Sequence, residues 1–305
     1  MLMENPFVNP LFLPTVYRWT GLLGVALMAL LVLLRHRAGR LRDEVLFLRW
    51  RTWAIIAPIY LFAILGGSLA TVVLVMALTI QGLREYARLV GLAPPYERIL
   101  LAMGLIVAPV AALSLDGFYL LGPLLLILAT LQPLLLGSIT GGVRQLAFAA
   151  LGWGYIAWFL GHTLLLRQQV EGGTGILLGL GLAVAISDVG AFLVGKALGK
   201  HKLSPRLSPN KTVEGVLGNL IGAYAGLILM SFALPSHVRT VALVGLPILI
   251  GLGALWGDLV ESALKREFGV KDAGDSLPGF GGLLDRIDSL LIVMPLSYYV
   301  FRIAT

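Results

Sequence analysis

The chain has no cysteine, so it can form no disulfide and build no thiolate metal site. Histidine is almost as scarce. His36, His162, His201 and His237 are the four present, and they show no metal-ligand spacing. His162 and His237 fall near the ends of apolar runs, His36 sits among arginines, and His201 lies between lysines, where it reads as solvated or phosphate-facing. Charge is also thin: Asp, Glu, Lys and Arg make up 13% of the residues against 58% hydrophobic ones, with a mean hydropathy of +0.91. That balance excludes an ordinary soluble core and describes a chain that crosses a membrane many times. The net charge of +7 gives no reason to expect nucleic acid, because the basic residues lie between apolar runs and form no single patch. No cleavable signal peptide is expected, since the first apolar run, 16–34, is long enough to span and follows no cationic stretch.

What fills the chain is apolar runs. After the first they fall at about 53–66, 68–83, 98–115, 117–136, 143–166, 174–198, 212–234, 240–260 and 283–303. Residues 53–83 admit two readings, one long tilted helix or a hairpin turning at Gly66-Gly67. Charge separates them. With a hairpin, all of the 23 Lys and Arg except Arg18, Arg167, Arg239 and Arg302 fall on one side of the membrane. With a single helix the later loops invert and the asymmetry is lost, so the positive-inside tendency favours the hairpin. The expected fold is an all-α, polytopic helical bundle of nine to ten transmembrane helices in the cytoplasmic membrane, with both termini outside and the most basic loops, which carry the charged stretches described below, in the cytoplasm. The expected division is residues 1–140, an N-terminal transmembrane region with a basic interfacial segment at 35–51, and residues 141–305, a C-terminal catalytic region. No repeat and no soluble domain is evident. Arg84, Glu85 and Arg88 read as a structural ion pair at a helix end capped near Gly91.

Against this background the stretch 257–288 stands out: GDLVESALKREFGVKDAGDSLPGFGGLLDRID holds Asp258, Glu261, Glu267, Asp272, Asp275, Asp285 and Asp288 out of sixteen acids in the chain. Charge in a membrane span is expensive and is usually kept for a task. If the run ending near Val260 continues as a helix, Asp258, Glu261, Ser262 and Lys265 fall at i, i+3, i+4 and i+7 and share a stripe. Gly274, Pro278, Gly279, Gly281 and Gly282 forbid a regular helix next, and such a loop lets backbone N–H groups approach an anion. Asp285 and Asp288 then share a face at the start of the last run. Carboxylates beside lysines and a glycine loop suit a hard cation plus phosphates.

A second group begins inside the seventh run, in AVAISDVGAFLVGKALGKHKL. Asp188 lies mid-run and needs a partner there; a packing hydrogen bond through Ser187 and Asp188 is the plainer reading. The basic loop 196–211 supplies cations, and Lys211-Thr212 opens the next helix, whose N-terminus favours anions. Ser208-Pro209-Asn210-Lys211-Thr212 is no Walker A motif, because Asn210 stands where Gly would and no strand precedes it.

These two stretches resemble the phosphatidate cytidylyltransferases (CDP-diacylglycerol synthases). The signature of that family is matched in register by Ser262, Lys265, Arg266, Lys271, Asp272, Gly274, Pro278, Gly281, Gly282, Asp285, Arg286 and Asp288. One position departs: Phe280 stands where the family has His. Asp188, Gly190, Ala191, Gly195 and Lys196, then Ser208, Pro209, Lys211, Thr212 and Glu214, match a second family run. The resemblance covers about residues 183–290; the first 170 residues match in style only.

The resemblance implies CTP and phosphatidate as substrates, CDP-diacylglycerol and pyrophosphate as products, and a homodimer among membrane lipids. On that basis Mg²⁺ is expected on Asp258 and on Asp285 or Asp288, with room for a second cation. Lys265, Arg266, Lys271 and Arg286 are expected on phosphates, with Ser262 as a hydrogen-bonding group. Asp188, Lys196, Ser208, Lys211, Thr212, Glu261, Asp272, Gly279, Gly281 and Gly282 are expected around the substrates. Three other readings stand beside this one: a CTP-dependent enzyme acting on another lipid phosphate or lipid alcohol, a non-catalytic lipid-binding or transport paralogue that lost activity with the change to Phe280, and an ion-coupled transporter, which leaves the glycine loop and its lysines unexplained.

Overall fold

The computed structural model describes residues 3–33, 44–135, 137, 141–236, 239–270, 272–277, 279 and 281–304. Lys271, Pro278, Phe280, His36, His237 and most of the basic segment lie outside them. Within them the chain is a bundle of helices: α1 (Phe12–Leu33), α2 (Val45–Leu65), α3 (Ser68–Leu89), α4 (Pro94–Leu113), α5 (Leu115–Leu135), α6 (Gly142–Gly152), α7 (Phe159–Gln169), α8 (Gly173–Leu198), α9 (Val213–Leu229), α10 (Arg239–Glu267) and α11 (Leu284–Ala304). A π-helical segment, Trp153–Trp158, joins α6 and α7 into one rod of 28 residues. Eight of the rods are long and apolar enough to cross a membrane. The two others are α9, which is shorter, and α11, whose first two turns carry Asp285, Arg286 and Asp288.

The hairpin is present. α2 ends at Leu65, Gly66 and Gly67 turn the chain, and α3 starts at Ser68. Gly67 sits at φ +95, a region open to glycine, and Thr71 Oγ1 donates to Ala63 O (3.0 Å) to tie the two helices across the turn. α2 begins at Val45, eight residues before its expected start, so it is long enough to span. Arg49 and Arg51 lie in its first turns, where long side chains can bury their stems and keep the charged head at the interface.

Large apolar side chains stay exposed along the bundle. Leu252 and Trp256 of α10 are each 60% exposed, and Val25 of α1 is 70% exposed. In water such surfaces would aggregate; in lipid they are the expected exterior. Between helices, where lipid offers no hydrophobic drive, close approach does the work. Gly218, Gly222 and Gly226 recur every fourth residue along α9 and face α8. A Cβ on Gly222 would lie 2.5 Å from Ile186 O, and one on Gly226 would lie 2.5 Å from Ala183 Cα.

The basic connection between α8 and α9 is folded too. β1 (Lys202–Ser204) and β2 (Ser208–Thr212) pair antiparallel, with Lys202 opposite Thr212 and Ser204 opposite Ser208. Thr212 caps α9, its Oγ1 accepting from Gly215 N (3.1 Å).

Gly222→Val drives a branched side chain into the α8 backbone and is expected to cost about 3 kcal/mol of stability. Gly245→Ala meets nothing within 4 Å and serves as the control. Thermal unfolding of the two purified variants in detergent checks this; equal midpoints would refute the seam.

Candidate active site

The site is made where α10 and α11 come closest. A Cβ on Gly257 would lie 2.2 Å from Asp288 O, so only glycine lets the two backbones meet there. Tyr155 Oη, from the π-helical segment, donates to Gly257 O (3.2 Å) and fixes the same point from a third rod. One residue after Gly257 the polar stripe of α10 begins, and it faces the first turn of α11.

Asp258, Glu261 and Asp288 each contribute a carboxylate oxygen to a cluster whose atoms lie within 4.8 Å of one another. Glu261 is 1% exposed and Asp288 7%; Asp258 is half-buried. At that separation two ionised carboxylates repel by on the order of 3 kcal/mol at an effective dielectric of about 20. A cluster of this kind persists only with protons or cations to offset the repulsion. Glu261 Oε1 is buried without a hydrogen-bond partner among the described residues. An acidic, oxygen-only donor set with one such unserved oxygen fits a hard divalent cation.

Protein cations already surround the cluster. Lys211, at the end of β2, forms an ion pair with Asp258 Oδ2, and Ser262 Oγ donates to Asp258 Oδ1 (3.4 Å). Asp188 is within electrostatic reach of Asp258, Lys211 and Arg286, and Asp288 is within reach of Asp188 and Arg286. Asp188, expected around the substrates with a packing hydrogen bond through Ser187 and Asp188 as the plainer reading, thus lies within reach of the charged group. Ser187 Oγ donates to Val184 O instead (2.8 Å).

Lys265 forms a second node. Its Nζ donates to Glu261 Oε2 and to Asp285 Oδ1, both at 2.7 Å. Asp285 Oδ2 accepts from Ala273 N (3.0 Å) and Gly282 N (2.8 Å). Asp285, expected among the ion-holding carboxylates, thus has both oxygens engaged in the lysine and the loop. Glu261, expected nearer the substrates, stands in the cluster in its place. The spacing of acids within each helix could not decide this, because it depends on the distance between helices.

The glycine loop is ordered by the rest of the bundle. Leu277 and Gly281 exchange backbone hydrogen bonds (2.8 and 3.1 Å). Gly279 and Gly281 sit at φ +79 and +90, which a side chain would strain. Arg49 Nε donates to Gly279 O (3.0 Å), pinning the tip of the loop to α2. Glu85 lies beneath it, 2% exposed, and accepts from Ser276 Oγ (2.6 Å), Leu283 N (3.1 Å) and Leu284 N (2.8 Å). The expected ion pair of Glu85 is therefore replaced, among the described residues, by neutral donors. Gly91 does terminate α3, at φ +66. Arg49 and Glu85 carry no motif, and nothing in their local spacing points to a loop some two hundred residues further on.

Other expected residues lie further from the cluster. Arg266 Nε donates to Leu207 O (3.2 Å) and holds the β-hairpin against α10. Lys196 is exposed, with Nζ 5.6 Å from the centre of the Phe192 ring. Thr212 serves as a helix cap, Ser208 lies in β2, and Asp272 is exposed beside the loop. His201 is solvated, its side chain 78% exposed, and its Nδ1 is 2.7 Å from Glu214 Oε1.

Comparison with known proteins adds to this geometry. A family model described as "Cytidylyltransferase family" matches residues 47–304. The "Phosphatidate cytidylyltransferase" of Bacillus subtilis (strain 168) is 32% identical over 258 residues, 83% of this chain and 96% of its own length. The protein of the same name from Staphylococcus aureus (strain COL) is 41% identical over 150 residues, 49% of this chain and 56% of its own. The "Uncharacterized protein YnbB" of Escherichia coli (strain K12) is 33% identical over 268 residues, 84% of this chain and 87% of its own.

Lys265→Met leaves two buried carboxylates facing each other without their shared cation. Its expected cost is about 3 kcal/mol, with Lys265→Arg losing less. Thermal unfolding in detergent reports it, and a Met variant as stable as wild type would contradict the role of the triad.

Proposed function

Because this chain belongs to the cytidylyltransferase family, we propose that it joins CTP to phosphatidate and releases pyrophosphate. An oxygen of the lipid phosphate monoester attacks the α-phosphorus of CTP. The bond from that phosphorus to the bridging oxygen of the β-phosphate breaks, and CDP-diacylglycerol and pyrophosphate result. The lipid supplies the nucleophile, so no protein nucleophile is needed. Such transfers depend on positioning and on offsetting negative charge.

The observation that carries this reading is the meeting of Asp258, Glu261 and Asp288 from two helices, ringed by lysines and a glycine loop. Asp258, Glu261 and Asp288 would hold Mg²⁺. When bound, that ion supplies charge neutralisation to phosphate oxygens. Lys265 already fills the position beside it as a fixed cation, between Glu261 and Asp285. Lys211 and Arg286 stand close enough to the acids to exchange them for phosphate oxygens, and Arg49 holds the loop tip beside them. Ser262 keeps Asp258 oriented. Gly279, Gly281 and Gly282 let the loop backbone approach the nucleotide phosphates.

The distribution of arginine and lysine supports a site facing the cytoplasm, where CTP is available, with the diacyl tails remaining in the bilayer. A homodimer, implied by resemblance, belongs to the same reading.

Purified protein given labelled CTP, Mg²⁺ and a panel of lipid acceptors tests it. Phosphatidate is expected to give CDP-lipid and pyrophosphate in equal amounts. Asp258→Asn, Glu261→Gln and Asp288→Asn are each expected to lower the rate by about 10²- to 10³-fold, with membrane insertion unchanged. Turnover only with another lipid phosphate or a lipid alcohol would move the substrate and keep the chemistry. Wild-type protein that consumes no CTP with any acceptor, or variants with wild-type rates, would refute the assignment.

A further inference from the structure

Glu85 lies outside both helices that carry the acidic cluster, yet both of its carboxylate oxygens are engaged. Ser276 Oγ, Leu283 N and Gln81 Nε2 (2.8 Å) donate to its Oε1 and Leu284 N donates to its Oε2, four hydrogen bonds in all. All four donors are neutral, and the side chain is buried. Packing alone does not account for an acid there, because a buried carboxylate is a net penalty unless it orders its donors.

What it orders is the beginning of α11. Leu283 N and Leu284 N are among the first amides of that helix, which no intrahelical carbonyl can serve. A carboxylate also suits the positive end of the helix dipole. Here the cap comes from α3. The loop is moulded onto it: a Cβ on Gly282 would lie 2.6 Å from Glu85 Oε2, and one on Gly274 would lie 3.0 Å from Glu85 Cδ. Asp285 follows the capped amides directly and Asp288 comes one turn later. A slip of one residue in where α11 starts would rotate Asp288 by roughly 100° about the helix axis and carry it away from Asp258 and Glu261.

We infer that Glu85 is a positioning residue for nucleotidyl transfer: by capping α11 from α3 it sets the register that turns Asp288 toward α10 and Asp285 toward Lys265. The inference rests on the proposed reaction, in which those carboxylates act.

Hydrogen exchange and steady-state rates on the full-length protein test it together. Glu85→Gln keeps the size but swaps an acceptor oxygen for an amide that opposes the backbone N–H groups. Exchange across residues 272–290 is expected to rise about 10- to 100-fold, the equilibrium equivalent of losing a hydrogen bond to a charged acceptor, while α8 and α9 stay as in wild type. The rate of CDP-lipid formation is expected to fall by a similar factor, with KM for CTP changing less than kcat. Ser276→Ala, which removes one donor to Glu85 and the second acceptor of Leu283 N but leaves the Glu85 cap on Leu283 N and Leu284 N, is expected to show a smaller effect in the same segment, and stands in if Glu85→Gln does not fold. Glu85→Asp, which keeps both oxygens, is expected to recover part of the protection and part of the rate. Unchanged exchange with a wild-type rate would overturn the inference. So would exchange that rises evenly through α3, α4 and α8, since Glu85 would then support the fold at large. Wild-type protein that forms no CDP-lipid would overturn the reaction itself, a failure that the exchange measurement distinguishes from the failure of the cap.

Discussion

A carboxylate inside a membrane bundle must be met by a cation, a proton or a set of hydrogen-bond donors, because lipid offers none of these. The whole acidic site is organised by that constraint. Asp258 meets Lys211, Glu261 and Asp285 meet Lys265, and Glu85 meets four neutral donors. One demand is left over: three oxygens of Asp258, Glu261 and Asp288 lie together, with Glu261 Oε1 unserved among the described residues. The surplus of negative charge is thus confined to the place where a divalent ion and phosphates would relieve it.

The apolar helices make that confinement possible by geometry. Gly257 brings α10 against α11, and the glycines of α9 bring it against α8. The second seam bears on chemistry as well as on packing. α8 carries Asp188, and the strand that leads into α9 ends on Lys211-Thr212, so closing α8 onto α9 delivers an acid and a base to the same rim. The N-terminal helices contribute in the same way. A division near residue 140 separates Arg49 and Glu85 from the loop that they hold, so the site is shared across it.

Much of this follows from periodicity and composition. The apolar runs and the stripe from Asp258 to Lys265 rest on patterns local in sequence, which survive folding, whereas the hairpin at Gly66-Gly67 rests on how Lys and Arg divide between the two sides of the membrane along the whole chain. The choice between Asp285 and Glu261 does not rest on such a pattern. Both acids sit near Lys265, and only the separation of α10 from α11 assigns one to the loop amides and the other to the cluster. The pairing of β1 with β2 escaped for another reason: three and five residues of mixed polarity are too short to show a period of two. Glu85 was visible as a charge near a helix end. Its partners in the loop were not: two are backbone amides, which any sequence provides, and the third, Ser276, lies far along the chain.

The same accounting bears on how the site would meet its substrates. A nucleoside triphosphate and a lipid phosphate bring more negative charge to a place already rich in it, so the cations there must be able to change partners. Lys265 is poorly suited to do so, since it is held between two buried acids at 2.7 Å and its departure would leave both unpaired. Lys211 is better suited. It sits on a strand at the rim and is paired with Asp258, the least buried acid of the cluster. Were Asp258 to hold a divalent ion as proposed, Lys211 would be free to meet a phosphate oxygen. Fixed charge in the interior and exchangeable charge at the rim would then divide the work, one keeping the acids in register and the other accommodating the change in charge that binding brings.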